Sequence, residues 1–293
     1  MKDQLIRATA GGHSIRIFVS NTKELVQEAV QTHKTTPVAS AALGRLLTAG
    51  SMMGAMLKGD DDLLTLQIKG DGPLKGIVVT ADSQSHVKGY VYQPQVDLPL
   101  NEVGKLDVRG AVGAGTLHVI RDTGLKDPYV GQIELISGEI AEDLTYYFAT
   151  SEQTPSVVAL GVLIDRDYSV RQAGGFIIQV MPGASEEVIS TLEENLESIS
   201  SITSLLEAGC QTEDILKKIV GELDYSILET RDVAFVCNCS EERVEKALVS
   251  LGHQELQNMI NDGEEIELHC HFCNRNYLFS VQELSDLYKA AKN

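Results

Sequence analysis

Four of the five cysteines fall in two tight pairs near the C-terminus, Cys237-Asn238-Cys239 and Cys270-His271-Phe272-Cys273, with thirty residues between them. Two short pairs brought together across a folded loop supply four thiolates, a complete shell for a structural zinc ion. The second pair has the common knuckle spacing, and the first is one residue shorter. A disulfide across Cys-X-Cys closes a small, strained ring, and strained disulfides have the more oxidising potentials of labile or regulatory bonds. The residues therefore point to a metal site with redox chemistry latent in it.

Four soft donors favour one Zn²⁺ per chain over Mg²⁺ or Ca²⁺. An iron–sulfur cluster, or four free buried thiols, would use the same residues. His269 and His271 flank Cys270 and are alternative donors, but strand alternation puts both on the face opposite Cys270. With Cys237, Cys239, Cys270 and Cys273 all bound, no position stays open for activated water, so zinc hydrolysis or deamination is not expected. Two readings of a closed site remain. One is a permanent staple, as in most zinc ribbons. The other is a switch, since oxidants attack thiolates and oxidised ligands release their metal. Zinc binding to small finger peptides is worth roughly 10–16 kcal/mol and is folding energy, so losing it from a small segment would unfold that segment.

The elements that must position these cysteines are compact. In residues 233–293, Ser240 caps a helix bearing Val244, Ala247, Leu248 and Leu251, which Gly252 stops. Asn261-Asp262-Gly263 turns into a strand at Ile266-Glu267-Leu268 that delivers Cys270. The knuckle returns into Tyr277-Leu278-Phe279, and Ser280-Val281-Gln282-Glu283 forms a capping box opening a last helix. So few large apolar groups leave such a segment marginal without a staple. Upstream, in residues 180–232, Val188, Leu192, Leu196, Ile199, Ile202 and Leu206 recur at helical spacing, predicting one helix ended by Ala208-Gly209. Thr212 is read as the cap of a shorter helix with Ile215, Leu216, Ile219 and Leu223. These stripes are too few to enclose a core and must lie on another surface, that of the first domain.

Residues 1–179 read as a mixed domain. Ser14–Val19 alternates as a half-buried strand, Asn21 is placed to cap a helix through His33, and Thr36-Pro37 starts a second helix. Strands follow at 64–68, 76–79 and 87–92, joined by turns such as Gly70-Asp71-Gly72-Pro73, with more at 116–120 and 176–180. The fold class is α+β: a core domain with a mixed, mainly antiparallel sheet, a helical linker and a small C-terminal zinc-binding domain.

Composition narrows function. The chain has 293 residues, 43 % apolar, without Trp and with a formal charge of −18. Residues 1–179 carry 16 basic and 20 acidic side chains, residues 180–232 carry 3 and 12, and residues 233–293 carry 5 and 10. A field of that sign disfavours nucleic acid and anionic membrane, and the middle segment is its most acidic part. Pro37–Leu57 is apolar enough to suggest a span, yet Arg45 near its middle and Gly44, Gly50 and Gly54 suit a buried, closely packed helix. The opening residues lack the apolar run of a secretory signal, so the cysteines are expected in a reducing cytoplasm. Cys210 reads as a small buried apolar residue, and the glycine run 110–115 as a turn or strand packing, since it lacks the Gly-Lys-Ser/Thr ending of a phosphate loop. No nucleophile–base constellation is present, and no enzyme activity is expected.

The whole chain resembles the redox-regulated 33 kDa heat-shock chaperone (holdase) family. The resemblance is carried by the cysteine spacing and by ALGRLLTAGSMMGAMLKGDD (42–61), LQIKGDGPLKGIVV (66–79), SGEIAEDLTYYFATSEQTPS (137–156) and AGGFIIQVMPGA (173–184). It implies an ATP-independent holdase that is inactive while Cys237, Cys239, Cys270 and Cys273 hold zinc. It further implies that oxidants and unfolding stress form Cys237–Cys239 and Cys270–Cys273 disulfides, releasing zinc, unfolding the zinc domain and destabilising the linker. Apolar surface then captures unfolding client proteins, with the active form a homodimer. A static zinc-ribbon module that binds nucleic acid or a protein is the competing expectation.

Overall fold

The computed structural model describes residues 2–290. The chain forms two compact units, one ending at Val236 and one starting at Cys237. The first opens with β1 (Gln4–Ala10), β2 (Ile15–Asn21), α1 (Lys23–His33) and α2 (Pro37–Gly54). β3 (Leu63–Gly70), β4 (Gly76–Asp82), β5 (His86–Val91), α3 (Val108–Val112), β6 (Gly115–Asp122) and β7 (Tyr129–Glu134) follow. Then come α4 (Ala141–Thr150), β8 (Ser156–Ile164), β9 (Val170–Val180), α5 (Glu186–Glu197), α6 (Ile202–Glu207) and α7 (Thr212–Val220). β10 (Tyr225–Asp232) and β11 (Ala234–Phe235) complete the unit.

Two sheets result, ordered β10-β1-β2-β9-β8 and β11-β5-β4-β3-β6-β7. Every pairing is antiparallel except that of β11 with β5. α2 lies between the sheets, against β4, β5, β8 and β9. Every residue from Val38 to Gly54 is buried except Arg45, which donates to Glu139 at 2.5 Å. The apolar run is thus a core helix, and no described helix is long and apolar enough to cross a membrane. A Cβ at Gly44 would stand 2.7 Å from Val26, and one at Gly50 2.7 Å from Val79, so these two glycines set the close approach of α2 to its neighbours.

Strand alternation gives the first sheet two apolar faces. Leu5, Phe18 and Ile177 face the α2 core, whereas Ile6, Ala8, Ile15, Ile17, Val19, Phe176 and Ile178 face the other way. Leu192, Ile202, Leu206, Ile215, Leu216, Ile219 and Val220, from α5, α6 and α7, cover that second face. The acidic helices therefore do lie on the first domain's surface, with Glu186, Glu187, Glu193, Glu194 and Glu197 turned to solvent. Burying each such Ile or Leu is worth roughly 1.5–3 kcal/mol, so the cover is held by apolar contact.

Several local expectations are corrected. The single helix through 188–206 is broken: α5 ends at Glu197, and the Ser201 hydroxyl accepts the Ser204 N–H at 3.0 Å to start α6. Serines that bond nearby backbone compete with helix continuation. Thr212 is the first helical residue, and Gln211 is the cap, its N–H donating to Asp214 at 2.9 Å. The cap position of α1 is Thr22, one residue after Asn21; the Asn21 side-chain oxygen still accepts the Lys23 N–H at 3.3 Å, and the buried Asp3 carboxylate accepts those of Glu24 and Leu25 at 3.1 and 2.7 Å. The linker segment also contains a strand, β10, paired along the whole of β1.

The second unit holds α8 (Glu241–Ser250), α9 (His253–Asp262), the hairpin β12 (Ile266–His269) with β13 (Asn276–Phe279), and α10 (Val281–Ala290). The predicted capping box is present: Ser280 N–H donates to Glu283 at 2.8 Å, and Glu283 N–H to the Ser280 hydroxyl at 3.3 Å. α9 was not anticipated, although Leu256, Met259 and Ile260 carry its helical spacing. Among the described residues of this unit only Leu248, Leu256, Phe279 and Leu284 are fully buried.

Candidate metal centre

Local structure aims each cysteine inward. The chain leaves β11 with the Val236 N–H donating to Val87 O at 2.9 Å, and the next residue is Cys237. Ser240 caps α8 by accepting the Arg243 N–H at 3.3 Å, and the Arg243 guanidinium donates to Asn238 O at 3.2 Å, fixing the Cys-Asn-Cys bend. Across from it, the β12–β13 register pairs His269 with Asn276. The knuckle closes through Cys270 N–H to Arg275 O at 2.9 Å and Asn274 N–H to Cys270 O at 2.8 Å. Asn274 sits at φ 56°, a left-handed position that asparagine tolerates.

The four sulfurs converge. Cys237 Sγ lies 3.7 Å from Cys270 Sγ, Cys239 Sγ lies 3.3 Å from Cys273 Sγ, and all four fall within 4.8 Å of one another. A tetrahedral shell with metal–sulfur distances of ~2.3 Å has edges of ~3.8 Å, so the cluster fits a four-thiolate metal ion. None of the four is in a disulfide, and each is half-buried. Among the described residues, this is the one group of three or more His, Cys, Asp and Glu arranged to hold a metal.

The thiols do not share one proton affinity. Burial pushes Cys273 up to about 12, helped by hydrogen bonds with the other three thiols. Burial likewise raises Cys237. Burial opposes ionisation of Cys239 too, but hydrogen bonds from the Tyr277 hydroxyl, at 3.1 Å, and from its neighbouring thiols bring it down to about 7. Cys239 therefore ionises more readily than Cys237 or Cys273; a divalent cation would favour the thiolate form throughout the cluster. Tyr277 was not singled out from sequence. Its position on β13, facing the first pair, depends on the hairpin register.

His269 and His271 are exposed, as alternation required. Both ring nitrogens of His269 are engaged by Asn276 at 2.6 Å and Asn274 at 3.1 Å, which makes it a brace for the knuckle. Cys210 packs half-buried against the covered sheet face and is not among the four. The glycine run 110–115 is a backbone contact: a Cβ at Gly115 would stand 1.9 Å from Lys69 O, and Asp71 accepts the Ala114 N–H at 2.8 Å.

Comparison with known proteins agrees with this architecture. The family model described as Hsp33 protein matches residues 3–280. A 33 kDa chaperonin from Lachnoclostridium phytofermentans is 57 % identical over 98 % of both chains. One from Clostridium perfringens strain SM101 is 54 % identical over 98 % of this chain and 92 % of its own. The crystal structure of the 33 kDa chaperonin (heat shock protein 33 homolog) of Thermotoga maritima superposes with a TM-score of 0.89. It is 39 % identical and covers 99 % of each chain.

Proposed function

The chain belongs to the Hsp33 family and is a chaperone; we propose that it is an ATP-independent, non-enzymatic holdase that oxidation switches on. Cys237, Cys239, Cys270 and Cys273 are the residues that would hold one zinc ion in the reduced form. When bound, zinc supplies charge that keeps the four thiolates deprotonated and a crosslink for a unit with little core of its own. The observation that carries the reading is the convergence of these sulfurs within 4.8 Å in a unit with only four fully buried apolar side chains among its described residues.

Each pair of thiols that forms a disulfide loses two electrons and two protons, and one hydrogen peroxide is reduced to two waters. Following the family resemblance, the pairs are Cys237–Cys239 and Cys270–Cys273. Four thiolates become two disulfides, and no anionic ligand is left. The second unit then loses its staple and unfolds. The residue before Cys237 is tied to β5, and β10 and the α5–α7 cover lie immediately upstream. Loss of order that spreads along this segment uncovers Ile15, Ile17, Val19, Phe176 and Ile178, an apolar sheet face that suits unfolding clients. The active form is a homodimer in the cytoplasm, without nucleic-acid or membrane partners.

The test is suppression of client aggregation by reduced protein and by protein treated with peroxide under mild heat. The oxidised form alone should suppress it, and should return to inactivity on reduction with zinc. Equal behaviour of the two forms, together with salt-sensitive nucleic-acid binding by the reduced one, would make the module static and overturn the switch.

A further inference from the structure

Within the first unit, a cavity of about 370 Å³ opens between the α2-facing side of the first sheet and the ends of α2, β6 and α4. Three cations line it: Arg16 of β2, Lys58 just after α2, and Arg121 of β6. Met56, Leu57 and Phe148 form its apolar wall. Two carboxylates also reach it, and both are engaged. Glu152 accepts from Arg121 at 2.8 Å and from the Tyr147 hydroxyl at 2.5 Å. Asp62 accepts the backbone N–H of Gly59 at 2.9 Å and of Lys58 at 3.4 Å.

Three lining cations against two carboxylates leave an excess of one positive charge, and Arg121 directs both its Nη groups at Glu152. Arg16 Nε and Nη2 both donate to one neutral oxygen, Oε1 of the buried Gln179, at 3.1 and 2.5 Å. Neither Arg16 nor Lys58 forms an ion pair among the described residues. On the adjacent strand Arg7, whose Nε is buried without a hydrogen-bond partner, adds a further cation to the same sheet face. Burial and the charges of Arg7 and Arg121 already loosen Arg16's hold on its proton. Like charges this close are held apart from their preferred solvent and repel, and a bound anion relieves both penalties. In a chain of net charge −18, so local an excess of cations is the opposite of the surrounding field.

We propose that this cavity binds a small organic phosphate. Its oxyanion sits among Arg16, Lys58 and Arg121, and its apolar body lies against Met56, Leu57 and Phe148. Guanidinium forks match tetrahedral oxyanions, and the volume is that of a small-molecule site.

The experiment is calorimetric titration of the reduced full chain with inorganic phosphate and with phenyl phosphate, at an ionic strength held constant with chloride. Both should bind saturably, phenyl phosphate more tightly. Arg16→Gln should weaken binding roughly tenfold. Lys58→Gln should weaken it several-fold; Lys58 is exposed, so this variant stays informative if Arg16→Gln does not fold. No saturable heat beyond the chloride control, or unchanged affinity in Lys58→Gln, overturns the site. Phenyl phosphate binding more weakly than inorganic phosphate overturns the assignment to an organic phosphate.

Discussion

The two units are stabilised in opposite ways. The first buries α2 on nearly every side between two sheets and adds a second apolar cluster beneath α5, α6 and α7. The second has Leu248, Leu256, Phe279 and Leu284 around one short hairpin, beside four clustered thiols that, on the proposed reading, hold a metal in place of a larger core. A core of four large side chains contributes on the order of 6–12 kcal/mol of burial, which the conformational entropy of a small domain consumes. Chemistry at the sulfurs can therefore decide whether the second unit is folded while leaving the first intact. In the proposed mechanism, that asymmetry is what would make a local redox event into a structural signal.

Removing the metal is the strongest attempt on this comparison. Chelation should erase amide protection across Ile266–His269 and Asn276–Phe279, since roughly 10–16 kcal/mol of binding energy is withdrawn. Ile15–Asn21 and Val170–Val180 should keep theirs. Loss of protection in all four strands at once would break the distinction. Next in size, Ile215→Ala or Ile219→Ala should loosen α7 by about 2–5 kcal/mol, both side chains being fully buried on the sheet. Such a variant should hold clients without oxidant while retaining its metal; activity that still needs oxidant would show that the cover is not what restrains it.

A smaller effect separates proton chemistry in the first unit from that of the thiols. Burial raises Asp3 to about 6 despite the two N–H groups it accepts. The folded state thus holds this proton more tightly than the unfolded chain. The resulting stability is complete below about pH 4 and is lost as pH rises through about 6, on the order of 3 kcal/mol. In urea unfolding, the stability of the wild type minus that of Asp3→Asn should fall between pH 4 and pH 7; a flat difference would contradict the assignment. Smallest of all, Cys210→Ala should change stability by less than about 1 kcal/mol and leave metal content unchanged, measured by urea midpoint and metal analysis.

What the sequence made legible was local. Ligand spacing, the Ser280–Glu283 box and the buried character of Pro37–Gly54 each depend on residues a few positions apart. β10 was hidden because its side chains are largely exposed and its partner β1 lies at the other end of the unit. Asp3 as the cap of α1, and Tyr277 over Cys239, are likewise contacts that only tertiary pairing creates. α9 is written in the spacing of Leu256, Met259 and Ile260, but the Gln and Asn residues between them weaken the signal.

In the proposed mechanism, disorder passes from the cysteines to the helices over the sheet. Hydrogen exchange on the reduced chain and on the peroxide-treated, mildly heated chain, followed peptide by peptide alongside zinc release, tests it directly. Oxidation should release one zinc per chain and remove protection from residues 237–279. With client binding, protection should also fall in Glu186–Glu197 and Thr212–Val220, while Val170–Val180 stays protected. Client binding that develops while those helices remain fully protected, or with zinc still bound, would contradict it.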